Sequence, residues 1–126
     1  MTERSPDTAR LRRTAPLREG SSLLPLLAPL WPLLDLADPA PTTLPPPTHG
    51  TSEMRLAREA HTPCPYNGGP REIQRLRWDD GARTLRVEWR DEAWVAPSLS
   101  VSARGPAPWL DALAAVIDAY LAAWEA

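Results

Sequence analysis

The chain has 126 residues, a formal net charge of −2, sixteen prolines, one cysteine and no lysine. That length allows one domain, and a single cysteine excludes an intrachain disulfide. Seven arginines face seven acids in residues 1–60 and seven face nine in residues 61–126, which is not the strongly basic profile of a nucleic-acid-binding domain.

Ten of the sixteen prolines lie in residues 1–50. The expected organisation is therefore a largely irregular Pro/Leu-rich extension and linker over residues 1–67, then a small folded domain over residues 68–126. A domain of about 60 residues has a marginal core and gains stability from a partner or from oligomerisation.

Residues 1–20 are polar and arginine-rich, with Arg4, Arg10, Arg12, Arg13 and Arg18. An apolar stretch of leucine, proline and tryptophan follows, from Ser21 to Asp38. Pro25, Pro29 and Pro32 each remove a helical hydrogen bond, and the stretch falls short of the about 20 apolar residues that a membrane helix needs. Two readings fit. As an export signal, the arginines of residues 1–20 are the basic region, with Arg12-Arg13 suggesting the twin-arginine type, Leu23–Leu34 the apolar core and Ala37–Ala40 the small-residue exit. The three prolines, the acidic Glu3, Asp7 and Glu19, and the lack of a clean A-x-A site oppose it. As a docking segment, its leucines are costly to leave in water. They cover either a partner's groove or this chain's own sheet, with Leu26, Leu30 and Trp31 as contact residues. A translation start at Met54 would remove the segment.

Residues 39–50 read as a linker, stiffened into an extended conformation by Pro45, Pro46 and Pro47. Glu53–His61 has good helix formers, with Ser52 as N-cap, and reads as a short helix ending before Pro63. His61 and Cys64 have a metal-like spacing, but a structural zinc needs four ligands and His49 is the one other strong candidate. A Cys64 nucleophile would need a base and an orienting third group, and His61 is the one nearby base. No metal, no cofactor and no enzymatic activity is expected.

Beyond the Asn67-Gly68-Gly69-Pro70 turn the pattern becomes regular. Glu72–Trp78 reads as a strand and Asp79-Asp80-Gly81 as a tight turn. Thr84–Arg90 returns antiparallel: Leu85, Val87 and Trp89 share one face, Arg86, Glu88 and Arg90 the other. Ala93–Ala96 reads as a third strand broken at Pro97, and Leu99 and Val101, alternating with serines, extend it or form a short fourth piece. Gly105-Pro106-Ala107-Pro108 breaks the pattern, and Trp109–Ala126 is an amphipathic helix with Leu110, Leu113, Ile117, Leu121 and Trp124 as its apolar stripe. The fold expected is α+β: a small antiparallel three-stranded sheet packed by one C-terminal helix, with a mostly disordered N-terminal half. Trp78, Trp89, Trp94, Trp109 and Trp124 are spaced as core positions. Arg75, Arg77, Arg83, Arg86 and Arg90 interleave with Glu72, Asp79, Asp80, Glu88, Asp91 and Glu92, as salt pairs on a solvated face do. Mixed charge there disfavours a nucleic-acid groove.

The run Leu85-Arg-Val-Glu-Trp-Arg-Asp-Glu-Ala-Trp-Val-Ala, then Pro97-Ser-Leu, Gly105 and Ala112-Leu-Ala-Ala-Val-Ile-Asp-Ala-Tyr-Leu, resembles the HicB-type antitoxin domain. The likeness spans residues 84–124. It implies a protein that binds and masks a small ribonuclease toxin and that often oligomerises. The function expected is a non-enzymatic, antitoxin- or immunity-like interaction module. Its partner is a protein, either a small toxin or a further copy of the chain, and its location cytoplasmic. The residues expected to hold the partner are Arg75, Arg77, Arg86, Glu88, Arg90, Trp94, Leu26, Leu30 and Trp31. The alternative is an exported or envelope-associated small protein, in which case the N-terminal segment meets a membrane.

Overall fold

The computed structural model describes residues 9–48, 55–60, 70–92 and 95–126. His49, Ser52, Met54, His61, Cys64, the Asn67–Gly69 turn, Ala93 and Trp94 lie outside the described residues. The described elements in chain order are β1 (Ala9–Pro16), α1 (Leu24–Leu30) with a 3-10 turn over Trp31–Leu34, β2 (Leu56–Ala60), β3 (Pro70–Asp79), β4 (Thr84–Glu92), β5 (Ser98–Gly105) and α2 (Ala107–Trp124).

The strands form one five-stranded antiparallel sheet in the order β1-β5-β4-β3-β2. This corrects the expected three-stranded meander with one helix and a disordered N-terminal half. The β3–β4–β5 meander exists, but each of its edges carries a further strand, and a second helix lies on the sheet. Three local expectations change with it. Leu56–Ala60 is a strand, not part of a helix: pairing with Leu76 through Glu72 on β3 overrides the helix propensity of its alanines, arginine and glutamate. The strand that follows β4 among the described residues is Ser98–Gly105, built on the Leu99/Val101 alternation; Val95 and Ala96 are not in a strand, and Ala93 and Trp94 lie outside the described residues. Strand β5 begins just after Pro97, whose carbonyl accepts a hydrogen bond from Leu17 N–H at 2.6 Å. The arginine-rich residues 9–16 are β1, paired along their whole length with β5.

Alternation sorts the side chains into two faces. The inner face carries Leu76 and Trp78 of β3, Leu85, Val87 and Trp89 of β4, Leu99, Val101 and Ala103 of β5, and Leu11 and Ala15 of β1, all buried. Helix α2 covers the β1–β5 side of this face. It starts after Pro106, which is extended (φ −62, ψ 144), with Pro108 in its first turn, where a missing N–H costs nothing. Trp109, Leu110, Leu113, Ile117, Tyr120 and Leu121 are its buried stripe. Burial pushes the Tyr120 pKa up to about 12, and its hydroxyl donates to Ser22 O at 2.6 Å. The end of α2 is tied to the end of β1, through Arg18 N–H to Trp124 O at 2.8 Å and Ala126 N–H to Pro16 O at 3.1 Å.

The leucine-rich segment covers the other half. Leu23 N–H donates to Gln74 Oε1 on β3 at 2.8 Å, and Trp89 Nε1 on β4 donates to the buried Ser21 Oγ at 3.0 Å. At the far end of the segment Asp35 pairs with Arg83, in the β3–β4 turn, at 2.8 Å. The segment therefore runs lengthwise along the β3–β4 hairpin. Leu23, Leu26, Leu27 and Leu30 have no exposed surface, and Leu34 has 1%. The prolines cost less than the sequence implies. Pro25 lies in the first turn of α1, Pro32 at the start of the 3-10 turn, and Pro29 alone sits inside the helix. Trp31 N–H still reaches Leu27 O.

Arg83 joins the layers. It pairs with Asp80 at 2.7 Å and Asp35 at 2.8 Å, and these carboxylates raise its pKa while it holds that of Asp80 down. Its guanidinium lies 5.0 Å from the Trp78 ring centre and 5.3 Å from that of Trp109. The two tryptophans touch at 5.6 Å, and Trp109 Nε1 donates to Leu33 O at 2.8 Å. Gly105 is what lets Trp109 lie here: a Cβ would sit 2.8 Å from its ring.

Two outcomes follow for stability. Leu26→Ala removes a side chain with no exposed surface and should cost about 2–5 kcal/mol in urea unfolding. Gly105→Ala drives a methyl into a ring held on three sides and should cost about 1–3 kcal/mol, with a loss of near-UV tryptophan signal.

The open face of the sheet as candidate binding site

Among the described residues no helix lies on the outer face over β1, β5 and β4, and the cross-strand register turns that face into rows. One row reads Arg77 on β3, Arg86 on β4, Ser102 on β5 and Arg12 on β1. The next towards the β3–β4 turn reads Asp79, Thr84, Arg104 and Arg10. The row on the other side reads Arg75, Glu88, Ser100 and Thr14. With strands about 4.8 Å apart, each row spans about 14 Å. Alternation in Ser98-Leu-Ser-Val-Ser-Ala-Arg104 puts every hydroxyl of β5 and Arg104 outward. Two shallow cavities, of about 350 Å³ and 470 Å³, lie on this surface and share Arg77, Arg86 and Ser102 in their linings.

The charges divide unequally. Arg75 is gripped by Glu88, at 3.0 Å, and by the buried Glu59. Burial opposes its charge, but the two carboxylates outweigh that and its pKa is raised. Arg90 lies 3.6 Å from Glu88 and 3.9 Å from Glu92. Towards β2 the face closes, with Ala57, Glu59 and Ile73 all buried. By contrast Arg10, Arg12, Arg86 and Arg104 are exposed and, among the described residues, have no carboxylate within ion-pair distance. Arg86 stands directly opposite Arg77, and Arg104 directly opposite Arg10. Like charges in directly opposed positions destabilise a sheet. The nearby hydroxyls supply neutral donors: Thr14 Oγ1 and Ser100 Oγ are 3.4 Å apart. Guanidinium groups with interleaved hydroxyls can hold carboxylates or phosphates through several charge-assisted hydrogen bonds at once.

Of the residues expected to hold a partner, Arg75, Arg77, Arg86, Glu88 and Arg90 come together on this face. Leu26 and Leu30 are fully buried in this protein's own core, so they face its sheet and not a partner. Trp31 is half-buried, and its Nε1 donates to Asp38 O at 2.9 Å. Trp94 lies outside the described residues. Sequence reasoning misses Arg10, Arg12 and Thr14, because no local pattern marks residues 9–16 as a strand, and Ser100, Ser102 and Arg104, because hydroxyls and one arginine are unremarkable until the register places them. The alternation of residues 98–104 was the available signal. Among the described residues no group of three His, Cys, Asp or Glu could hold a metal ion, and no helix is long and apolar enough to cross a membrane.

A cluster retained against its own repulsion should cost stability. Arg86→Thr, which keeps a good strand former, is expected to raise the unfolding free energy by about 0.2–1 kcal/mol, with the larger gain at low salt.

Comparison of the chain with protein-family models, with curated proteins and with solved structures gave no match, so the outer face is read from its own geometry.

Proposed function

We propose that this protein is a non-enzymatic interaction module that holds an acidic surface of a protein partner against the open face of its sheet. The observation that carries this is the exposed set Arg10, Arg12, Arg86 and Arg104, which stands outside the Arg75 and Arg90 ion pairs and is arranged by the strand register. Desolvating such guanidiniums is favourable when carboxylates meet them in matching geometry. A protein partner suits the face better than a nucleic acid, because Glu88 and Glu92 lie among the arginines and would repel a continuous phosphate backbone.

The antitoxin likeness supports the same class of role, the holding of another protein. It sits less well with the partner that likeness implies. A ribonuclease surface that grips RNA is itself basic and would meet this face as like charge. The exported alternative rests on the order of basic then apolar residues in 12–34. Cleavage beyond Ala40 would strip β1 and the leucine cover from the sheet.

The test is capture from lysate with the intact protein and with a double charge reversal, Arg12→Glu with Arg86→Glu. The expected result is one or more acidic proteins held at low salt, released by a few hundred millimolar salt and reduced at least tenfold by the reversal. Capture that ignores both salt and the reversal would show that this face is not the binding surface.

A further inference from the structure

Each edge of the sheet is capped at one point, and the two differ in what is left beside the cap. At the β2 edge Thr48 from the proline linker makes a parallel bridge to Glu59: its N–H donates to Arg58 O and its carbonyl accepts from Ala60 N–H, both at 2.8 Å. That edge is capped at this point. At the other edge is β1, eight residues long. The Leu17 N–H to Pro97 O bond continues the β1–β5 register and makes Leu17 and Pro97 a hydrogen-bonded pair. Such pairs recur at every second residue of an antiparallel ladder, so Leu11, Arg13 and Ala15 turn their main-chain groups towards β5. Arg10, Arg12 and Thr14 turn theirs outward. Arg12 O agrees with this parity, since it accepts a hydrogen bond from the Arg13 side chain, Nη1, at 3.0 Å. On this side the antiparallel bridge of Leu17 to Glu125 takes up the main-chain groups of Pro16 and Arg18; Arg10, Arg12 and Thr14 are all exposed, and among the described residues no strand pairs with them there. An unpaired row of N–H and C=O groups is a template for a further strand.

The residues with outward main-chain groups also project their side chains onto the basic face. We propose, resting on the reading of that face given above, that an extended acidic segment of the partner adds to β1 as a sixth strand. Its main chain pairs with Arg10, Arg12 and Thr14, and its alternate carboxylates meet Arg10, Arg12 and, across β1, Arg104. Charge selects this occupant. Residues 9–16 hold three arginines and no acid, so antiparallel pairing of β1 with a second copy brings arginines together across the new ladder, which is unfavourable. A segment with Asp or Glu at every second position reverses that sign. Nucleic acid offers no ladder of main-chain donors and acceptors to complete.

The probe is a synthetic eight-residue peptide of alternating Asp and Val, titrated into the intact protein, with amide hydrogen exchange as the readout. Binding should slow exchange of the Arg10, Arg12 and Thr14 amides at least tenfold. The same peptide N-methylated at alternate residues keeps the charge but loses ladder donors, and should bind at least tenfold more weakly. Thr14→Pro removes one outward N–H without changing any charge, at a place where an edge strand tolerates proline, and should weaken binding similarly. Thr14→Val keeps the N–H and should not. If Thr14→Pro fails to fold, the methylated peptide still decides. Equal binding of plain and methylated peptides overturns strand addition and leaves the basic-face reading intact. No peptide binding, joined to capture that ignores Arg12→Glu with Arg86→Glu, overturns both. A dimer that forms through β1 and is abolished by Thr14→Pro, or a single-stranded RNA oligonucleotide that displaces the peptide, overturns the acidic strand as the occupant.

Discussion

One α-helix, about 10 Å across with its side chains, cannot roof a sheet of five strands whose axes span about 19 Å. Everything else in this fold answers that mismatch. Helix α2 covers the β1–β5 side, and Leu76, Trp78, Leu85, Val87 and Trp89 of the β3–β4 hairpin would otherwise face water. Residues 21–36 supply the missing half of the roof. Buried apolar surface contributes about 25 cal/mol per Å², and five leucines with at most 1% exposure place this segment among the main contributors to stability. The N-terminal strand and the leucine segment are thus structural parts of the domain, although they precede the hairpin in sequence by more than thirty residues.

A leucine surface alone would let the segment slide, since hydrophobic attraction has no direction. Polar ties at both ends set its position. Gln74 and Ser21 are buried, and each has its hydrogen-bond partner across the layers, so a shift of the segment would leave them unsatisfied at a cost of about 1–3 kcal/mol each. At the other end Arg83 holds Asp35, while Trp109 holds the carbonyl of Leu33. The Arg83–Trp78–Trp109 cluster links the hairpin turn, the roof segment and the start of α2 at one point. The absent side chain of Gly105 makes room for it.

With both roof elements spent on the inner face, none of the described elements covers the outer face over β4, β5 and β1. There the protein keeps arginines opposite arginines, an arrangement that works against folding and favours anions. The same outward alternation that builds this face also turns the main-chain groups of Arg10, Arg12 and Thr14 to an edge on which no described strand pairs with them. Side-chain charge and backbone pairing capacity therefore coincide on one strand. That coincidence makes β1 the place where the two forms of recognition reinforce each other.

Legibility followed the physics of each segment. The period-two run from Leu85 to Trp89, the Asp79–Gly81 turn and the apolar stripe of α2 could be read directly, because each is written in adjacent residues. Strand β1 could not: its inner face shows Leu11 and Ala15 with Arg13 between them, and Arg13 is accommodated there by Asp118 of α2 at 3.3 Å. Strand β2 could not, because its residues favour a helix and only pairing with β3 decides otherwise. The leucine segment was recognisable as something that must be covered, but whether by a partner or by its own sheet depended on how wide that sheet is. The five arginines of the hairpin were visible as a set. Which of them are neutralised depends on register, a relation between residues such as Arg77 and Arg86, or Arg12 and Ser102, that lie far apart in the chain. Local pattern by itself determined the hairpin and the C-terminal helix. Tertiary structure alone decided the edges, the roof and the charged face, because each is made by pairing across strands or layers.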